Sequence, residues 1–237
     1  DVFDFEGEAG FKVFYNMPPL DERKKGLDLN VGYMAESGDW ELIIKHTGNL
    51  EDLSDRLGFS YVELLNGYGI IRIKSELIEA LTNSPEIIYI DKPKSLFSES
   101  TRIIEGFQAS CMSFLKRESN NLTGSGVLVS VIDSGIDYKH PVFWNDEMTR
   151  IFEIWDQTEP GNPPPHYKTG TLITRADIEA ANMQGANAFL PTYDATGHGT
   201  AVASIIANCS LGADLLIVKL NTSGDGAFPT TASLLMA

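Results

Sequence analysis

Leu128-Val-Ser-Val-Ile-Asp133 restricts the fold of this chain more than any other segment. An apolar, β-branched run of this kind reads as a buried strand, and Ser134-Gly135 breaks it, so the Asp133 carboxylate stands at the strand's carboxyl end. In an open parallel sheet that edge is where ligands and reactive groups collect. A second phrase, Gly197-His198-Gly-Thr-Ala-Val-Ala-Ser204, places an imidazole between two glycines directly before the helix-like run Thr200 to Ala207. An imidazole at a helix start, freed by glycines for close approach, can meet that carboxylate. Such a pair suits a weakly acidic hydroxyl, which must lose its proton to a base whose tautomer is held by a buried carboxylate. Either phrase alone also fits an ordinary turn or a structural histidine; both together, in this order, favour the chemical reading.

Gly212-Ala-Asp-Leu-Leu-Ile-Val-Lys-Leu220 reads as a second buried parallel strand, leading into Ser223-Gly-Asp-Gly-Ala-Phe228. Between acid and base lies a long excursion. Arg150 to Thr158 is strand-like, Gly161-Asn-Pro-Pro-Pro165 forbids regular structure, and Thr174 to Ala181 is helical with Thr174 as its cap. The first hundred residues read as a separate small unit. Trp40 to His46 alternates like a strand, and Asn49 to Leu57 repeats its leucines at helical spacing before Gly58. Ser60 to Leu65 and Tyr68 to Ile73 bracket Asn66-Gly67, a hairpin signal; Ser75 to Thr82 is a second helix and Glu86 to Asp91 a last strand. The order β-α-β-β-α-β is a ferredoxin-like α+β pattern, which by itself could be a free-standing binding module. Residues 1–35, with Met17-Pro-Pro19 and the charged run Asp21 to Lys25, read as a partly ordered leader.

At 237 residues, one large domain or two smaller ones are possible. No apolar run approaches the roughly 20 residues needed for a membrane span. Acidic residues outnumber basic ones 33 to 18, a net charge of −15, which argues against nucleic acid or an anionic membrane as partner. Cys111 and Cys209 are too few for a disulfide framework and lack metal-site spacing, and their pairing is open. Asp137 and His140 lie close in sequence, but two possible ligands do not make a metal site, so neither a metal nor a cofactor is expected.

The block Ile132-Asp-Ser-Gly-Ile-Asp-Tyr-Lys-His-Pro141, followed by Gly197-His-Gly-Thr200, resembles the subtilisin-like serine proteases, the subtilases of peptidase family S8. The resemblance implies a subtilisin-like α/β fold, a parallel sheet with flanking helices, represented here by its N-terminal part. It also implies serine endopeptidase chemistry with Asp133 and His198 as catalytic residues. The family's nucleophile phrase, Gly-Thr-Ser-x-Ala, does not occur before Ala237. Ser204, Ser210, Ser223 and Ser233 stand in the wrong context, and Asn208 and Asn221 fall too soon after His198 to be the oxyanion asparagine. The chain starts at Asp1 and stops inside Thr230 to Ala237, which reads as the opening turns of a helix. The expectation is therefore a fragment of a longer protease, inactive by itself. The alternative is a catalytically inactive relative used for binding or signalling.

Ahead of a subtilase core, the ferredoxin-like unit resembles the family's propeptide, an intramolecular chaperone and inhibitor. Lys92 to Ser100 would be its tail, with self-cleavage between about Phe97 and Cys111. The implied layout is a leader at 1–35, a propeptide-like domain at 36–99, a linker or processing region at 100–122 and the front of the catalytic domain at 123–237. Gly224, Asp225 and Gly226 would pair with an extended protein or peptide substrate as an added strand, and Phe228 would edge a distal pocket. The wording of the excursion resembles clostridial subtilases, including the Csp-type germination proteases of spore-formers, which implies a secreted or spore-associated protein.

Some positions depart from the family. Val142 follows His140-Pro141 where a calcium-binding aspartate is common, and Ala207 to Gly212 leaves little room for the usual calcium loop. Ala201 stands where a second histidine is common, and Ser204 replaces a glycine. No strong calcium site of that type is expected, so the melting temperature should be the same with and without chelator; a large drop in chelator would refute this.

Overall fold

The computed structural model describes residues 30–96, 123–183, 190–221 and 229–237, together with the backbone of an antiparallel hairpin, β1 (Phe3–Glu6) and β2 (Lys12–Tyr15). The chain forms two compact units: Asp1–Phe97 with Asn221–Met236, and Ser98–Leu220. The processing region at 100–122, with Cys111, lies outside the described residues.

In the first unit, β3 (Tyr33–Met34), β4 (Asp39–His46), α1 (Leu50–Leu57), β5 (Ser60–Glu63), β6 (Tyr68–Lys74), α2 (Ile78–Thr82) and β7 (Ile87–Asp91) follow one another. The strands pair antiparallel in the order β5-β6-β4-β7, with β3 added to the start of β4, the ferredoxin-like sheet that the sequence order implies. Ile44, Ile71 and Ile73 from the sheet bury against Leu50 and Leu53 of α1 and Leu81 of α2. Asn49 caps α1 by accepting the Glu51 N–H at 2.8 Å, and Gly58 ends it in the left-handed region at φ 74°.

Two local expectations need correction. Strand β5 stops at Glu63, because Leu65 is drawn into the turn with Asn66 (φ 61°) and Gly67 (φ 73°), and its side chain is 86 % exposed. The second helix begins only at Ile78. The Ser75 hydroxyl donates to the Gly38 carbonyl at 3.0 Å instead of capping, so Ser75–Leu77 winds as a 3₁₀ turn. Beyond β7, Lys94–Leu96 pairs antiparallel with the chain before the C-terminal helix, Thr231–Met236. The Leu96 N–H donates to the Pro229 carbonyl at 2.7 Å, and the Thr231 N–H to the Lys94 carbonyl at 2.9 Å.

The second unit carries β8 (Leu128–Asp133), the short hairpin β9 (Trp144–Asn145) and β10 (Met148–Thr149), β11 (Ile151–Asp156), β12 (Thr171–Thr174), α3 (Arg175–Met183), α4 (His198–Cys209) and β13 (Asp214–Lys219). Its sheet has the order β12-β11-β13-β8, with β8, β13 and β11 parallel and β12 antiparallel at one edge. Thr174 caps α3 as expected, its hydroxyl bonded at 2.6 Å to Asp177 one turn on, which holds that carboxyl below its ordinary value. Ala203 and Ala207 are fully buried and place α4 in the same core as Val131, Ile154, Leu215 and Ile217 of the sheet. Register pairs Asp133 with Lys219 and Lys219 with Asp156, so three charged residues end three neighbouring strands at one level.

Two left-handed glycines should respond differently to alanine. Nothing lies within 4 Å of a Cβ built on Gly58, whereas one on Gly67 would stand 2.8 Å from the His46 carbonyl oxygen. Gly58→Ala should cost about 1–2 kcal/mol through backbone strain alone, and Gly67→Ala more, read as lost hydrogen-exchange protection in β4 and β6.

Candidate active site

Asp133 is the last residue of β8 and His198 the first of α4, and the two side chains meet: His198 Nδ1 lies 2.7 Å from Asp133 Oδ1. Both are mostly buried, with 18 % and 17 % of their side chains exposed. Asp133 Oδ1 also accepts the Ser134 N–H at 2.7 Å. With Nδ1–H donating to the carboxylate, the basic electron pair sits on Nε2, the arrangement a general base requires.

The sequence dictates this meeting through its glycines. A Cβ on residue 199 would stand 2.2 Å from the Gly135 carbonyl oxygen and 3.2 Å from Asp133 Cβ, so only glycine lets α4 approach the strand end this closely. Gly197 turns the chain into the helix at φ 75° and brings no capping side chain.

Asp194 supplies the missing cap. Its carboxylate accepts the Thr200 N–H (2.9 Å) and hydroxyl (2.7 Å), the Gly197 N–H (3.0 Å) and the Ser134 hydroxyl (2.8 Å). Burial pushes this carboxyl up, but the hydrogen bonds from Thr200, Ser134 and Gly197 outweigh it and hold it below its ordinary value. Ser134 Oγ in turn accepts the Gly199 N–H at 3.0 Å, and Thr200 Oγ1 accepts the Asp137 N–H at 2.8 Å, so helix start and strand end are laced together. At the other end of α4, buried Arg150 donates to the carbonyls of Ala207 (2.9 Å), Ala213 (2.9 Å) and Ser210, placing a cation where the helix dipole favours one.

Sequence reasoning overlooked Asp194 and Arg150. The first had a weak signal, an acidic residue ahead of a glycine that opens a helix; the second had none, because its partners lie about sixty residues away. Asp137 and His140 serve local turns, accepting the Lys139 and Val142 N–H groups. Among the described residues no three His, Cys, Asp or Glu side chains gather as a metal group. Gly224, Asp225, Gly226 and Phe228 lie outside the described residues.

Asp194→Ala should destabilise the chain by about 1–2 kcal/mol at neutral pH, the effect of losing a helix cap. Because the carboxyl is held below its ordinary value, its contribution is present above that value and fades as pH falls through the folded one. The difference in melting temperature between parent and variant should therefore vanish in acid; a constant difference would contradict the assignment.

Two family models match the chain, the Csp protease B prodomain over residues 9–94 and the subtilase family over residues 124–234. Subtilisin-like protease SBT2.3 of Arabidopsis thaliana is 25% identical over 159 residues, which is 63% of this chain and 19% of that protein. Subtilisin-like protease SBT4.1 of the same plant is 28% identical over 204 residues, 79% of this chain and 23% of that protein. The chain thus spans about a fifth of the length of these curated relatives. The solved structure of the epidermin leader peptide processing serine protease EpiP from Staphylococcus aureus covers 81% of this chain and 44% of its own, at 13% identity and TM-score 0.46. The two models together match most of the chain: residues 124–234 are of the subtilase family, and residues 9–94 form a Csp-type prodomain ahead of them.

Proposed function

We propose that the complete protein is a serine endopeptidase in which Asp133 and His198 are two members of the catalytic triad and a serine following Ala237 is the third. Asp133 orients the imidazole and stabilises its charge. His198 Nε2 takes the proton of the serine hydroxyl as the oxygen attacks the peptide carbonyl, then gives it to the leaving amine. The observation that carries this reading is the 2.7 Å contact between His198 Nδ1 and Asp133 Oδ1 at the carboxyl edge of a parallel sheet. Among the described residues no serine hydroxyl bonds the imidazole, and the relatives extend far beyond the matched region, which supports a nucleophile outside residues 1–237. The same reading gives Gly224, Asp225 and Gly226 to the substrate backbone and Phe228 to a distal pocket.

The prodomain acts in this scheme as an intramolecular inhibitor, released by cleavage between about Phe97 and Cys111. The prodomain match and the antiparallel pairing of Lys94–Leu96 with Pro229–Thr231 support that role. A secreted or spore-associated site of action belongs to the same proposal.

The test is active-site labelling of the full-length protein with a fluorophosphonate, alongside peptide turnover. Labelling should fall on a serine after Ala237, and Asp133→Asn should lower turnover on the order of 10⁴-fold. A folded, processed protein that takes no label would instead be a subtilase relative that binds without hydrolysing.

A further inference from the structure

Asp156 ends β11 with no solvent exposure, in the middle of the excursion between the acid and the base. Four donors converge on its carboxylate. Lys219 Nζ lies 3.0 Å and the Thr192 hydroxyl 2.7 Å from Oδ2, while the Thr158 hydroxyl (2.5 Å) and N–H (2.9 Å) reach Oδ1. Lys219 is itself buried, its side chain 11 % exposed, with its stem packed against Gly135 and its ammonium 4.9 Å from the Tyr193 ring. A cation so enclosed has few places to go, and register gives it two carboxylate neighbours on adjoining strands: Asp156 on β11 and Asp133 on β8. Among the described residues its ion pair is with Asp156.

We propose that Asp156 is a positioning residue for the dyad: its buried carboxylate holds the Lys219 ammonium away from Asp133 and so reserves Asp133 for the Nδ1–H of His198. The inference rests on the reading of Asp133 and His198 as a catalytic pair. Three fixed donors on two oxygens keep the Asp156 carboxylate from turning, which is what makes it a competent anchor. With the anchor neutralised, the nearest alternative anion for an ammonium on a flexible stem is Asp133, and an ammonium there competes directly with the imidazole N–H. The Thr158 hydroxyl and N–H can still donate to the amide oxygen of an asparagine at 156, and the Thr192 hydroxyl can turn to accept from its NH2, so Asp156→Asn removes the charge with little change of shape.

The measurement is proton NMR of the full-length protein, following the far-downfield His198 Nδ1–H resonance of the bond to Asp133, identified by its loss in His198→Gln. This readout needs no serine and no turnover. The resonance should be present in the parent chain, lost in Asp156→Asn and restored in Asp156→Asn combined with Lys219→Met, which deletes the competing cation. An unchanged resonance in Asp156→Asn would overturn the proposal. Loss without restoration in the double variant would also overturn it, since a merely structural role predicts that outcome. Absence of the resonance in the parent would overturn the dyad itself, and this assignment with it, whereas failure of the positioning role alone leaves the parent resonance in place.

Discussion

Residue 199 has no side chain, and on that vacancy the rest of the candidate site depends. A single added carbon there would meet the Gly135 carbonyl at 2.2 Å and push α4 off the end of β8. The second glycine, Gly197, lets the chain turn into the helix but leaves the helix start without its own cap. The first N–H groups of a helix have no acceptor within it, and Asp194 provides one while also binding Ser134 from the strand-end loop. The flexibility that permits the approach and the carboxylate that fixes it are thus two halves of one arrangement.

The excursion between Asp133 and His198 contributes more than a connection. It delivers Asp194 to the amino end of α4 and Arg150 to the carboxyl end, an anion and a cation each at the terminus whose dipole it complements. It also delivers β11, which flanks β13 on the side away from β8 and so completes the three parallel strands whose ends carry Asp133, Lys219 and Asp156. The helix that holds the imidazole is tied at both ends by residues that precede it in the chain.

What was legible in the sequence was what short spacing encodes. The strand before Asp133, the glycines around His198, the capping of α1 by Asn49 and of α3 by Thr174 all involve residues within a few positions of one another. The same local rules failed where a tertiary bond intervened: Ser75 looked like a helix start, but its hydroxyl goes to Gly38, which is nearly forty positions back. Asp156 and Arg150 carried no signal, because a charged residue becomes a buried anchor only when segments far apart in sequence come together. Charges in apolar runs, such as Lys219 after Leu-Leu-Ile-Val, are the trace such a site leaves, but the trace does not name the partner.

Ser204 bears on whether the core is intact. It replaces a family glycine, a change that would point toward a degenerate relative if it disturbed the helix beside the dyad. In the structure Ser204 is half-buried on the flank of α4, between the buried alanines Ala203 and Ala207 that face the sheet, and its hydroxyl donates back to the Ala201 carbonyl at 2.7 Å. A serine so satisfied leaves no unpaired polar group and keeps the alanine face that sets the distance from helix to sheet. The close approach at Gly199 lies one and a half turns nearer the amino end and is untouched by it. The departure is therefore neutral for the geometry of Asp133 and His198, and Ser204 is no argument for a lost activity.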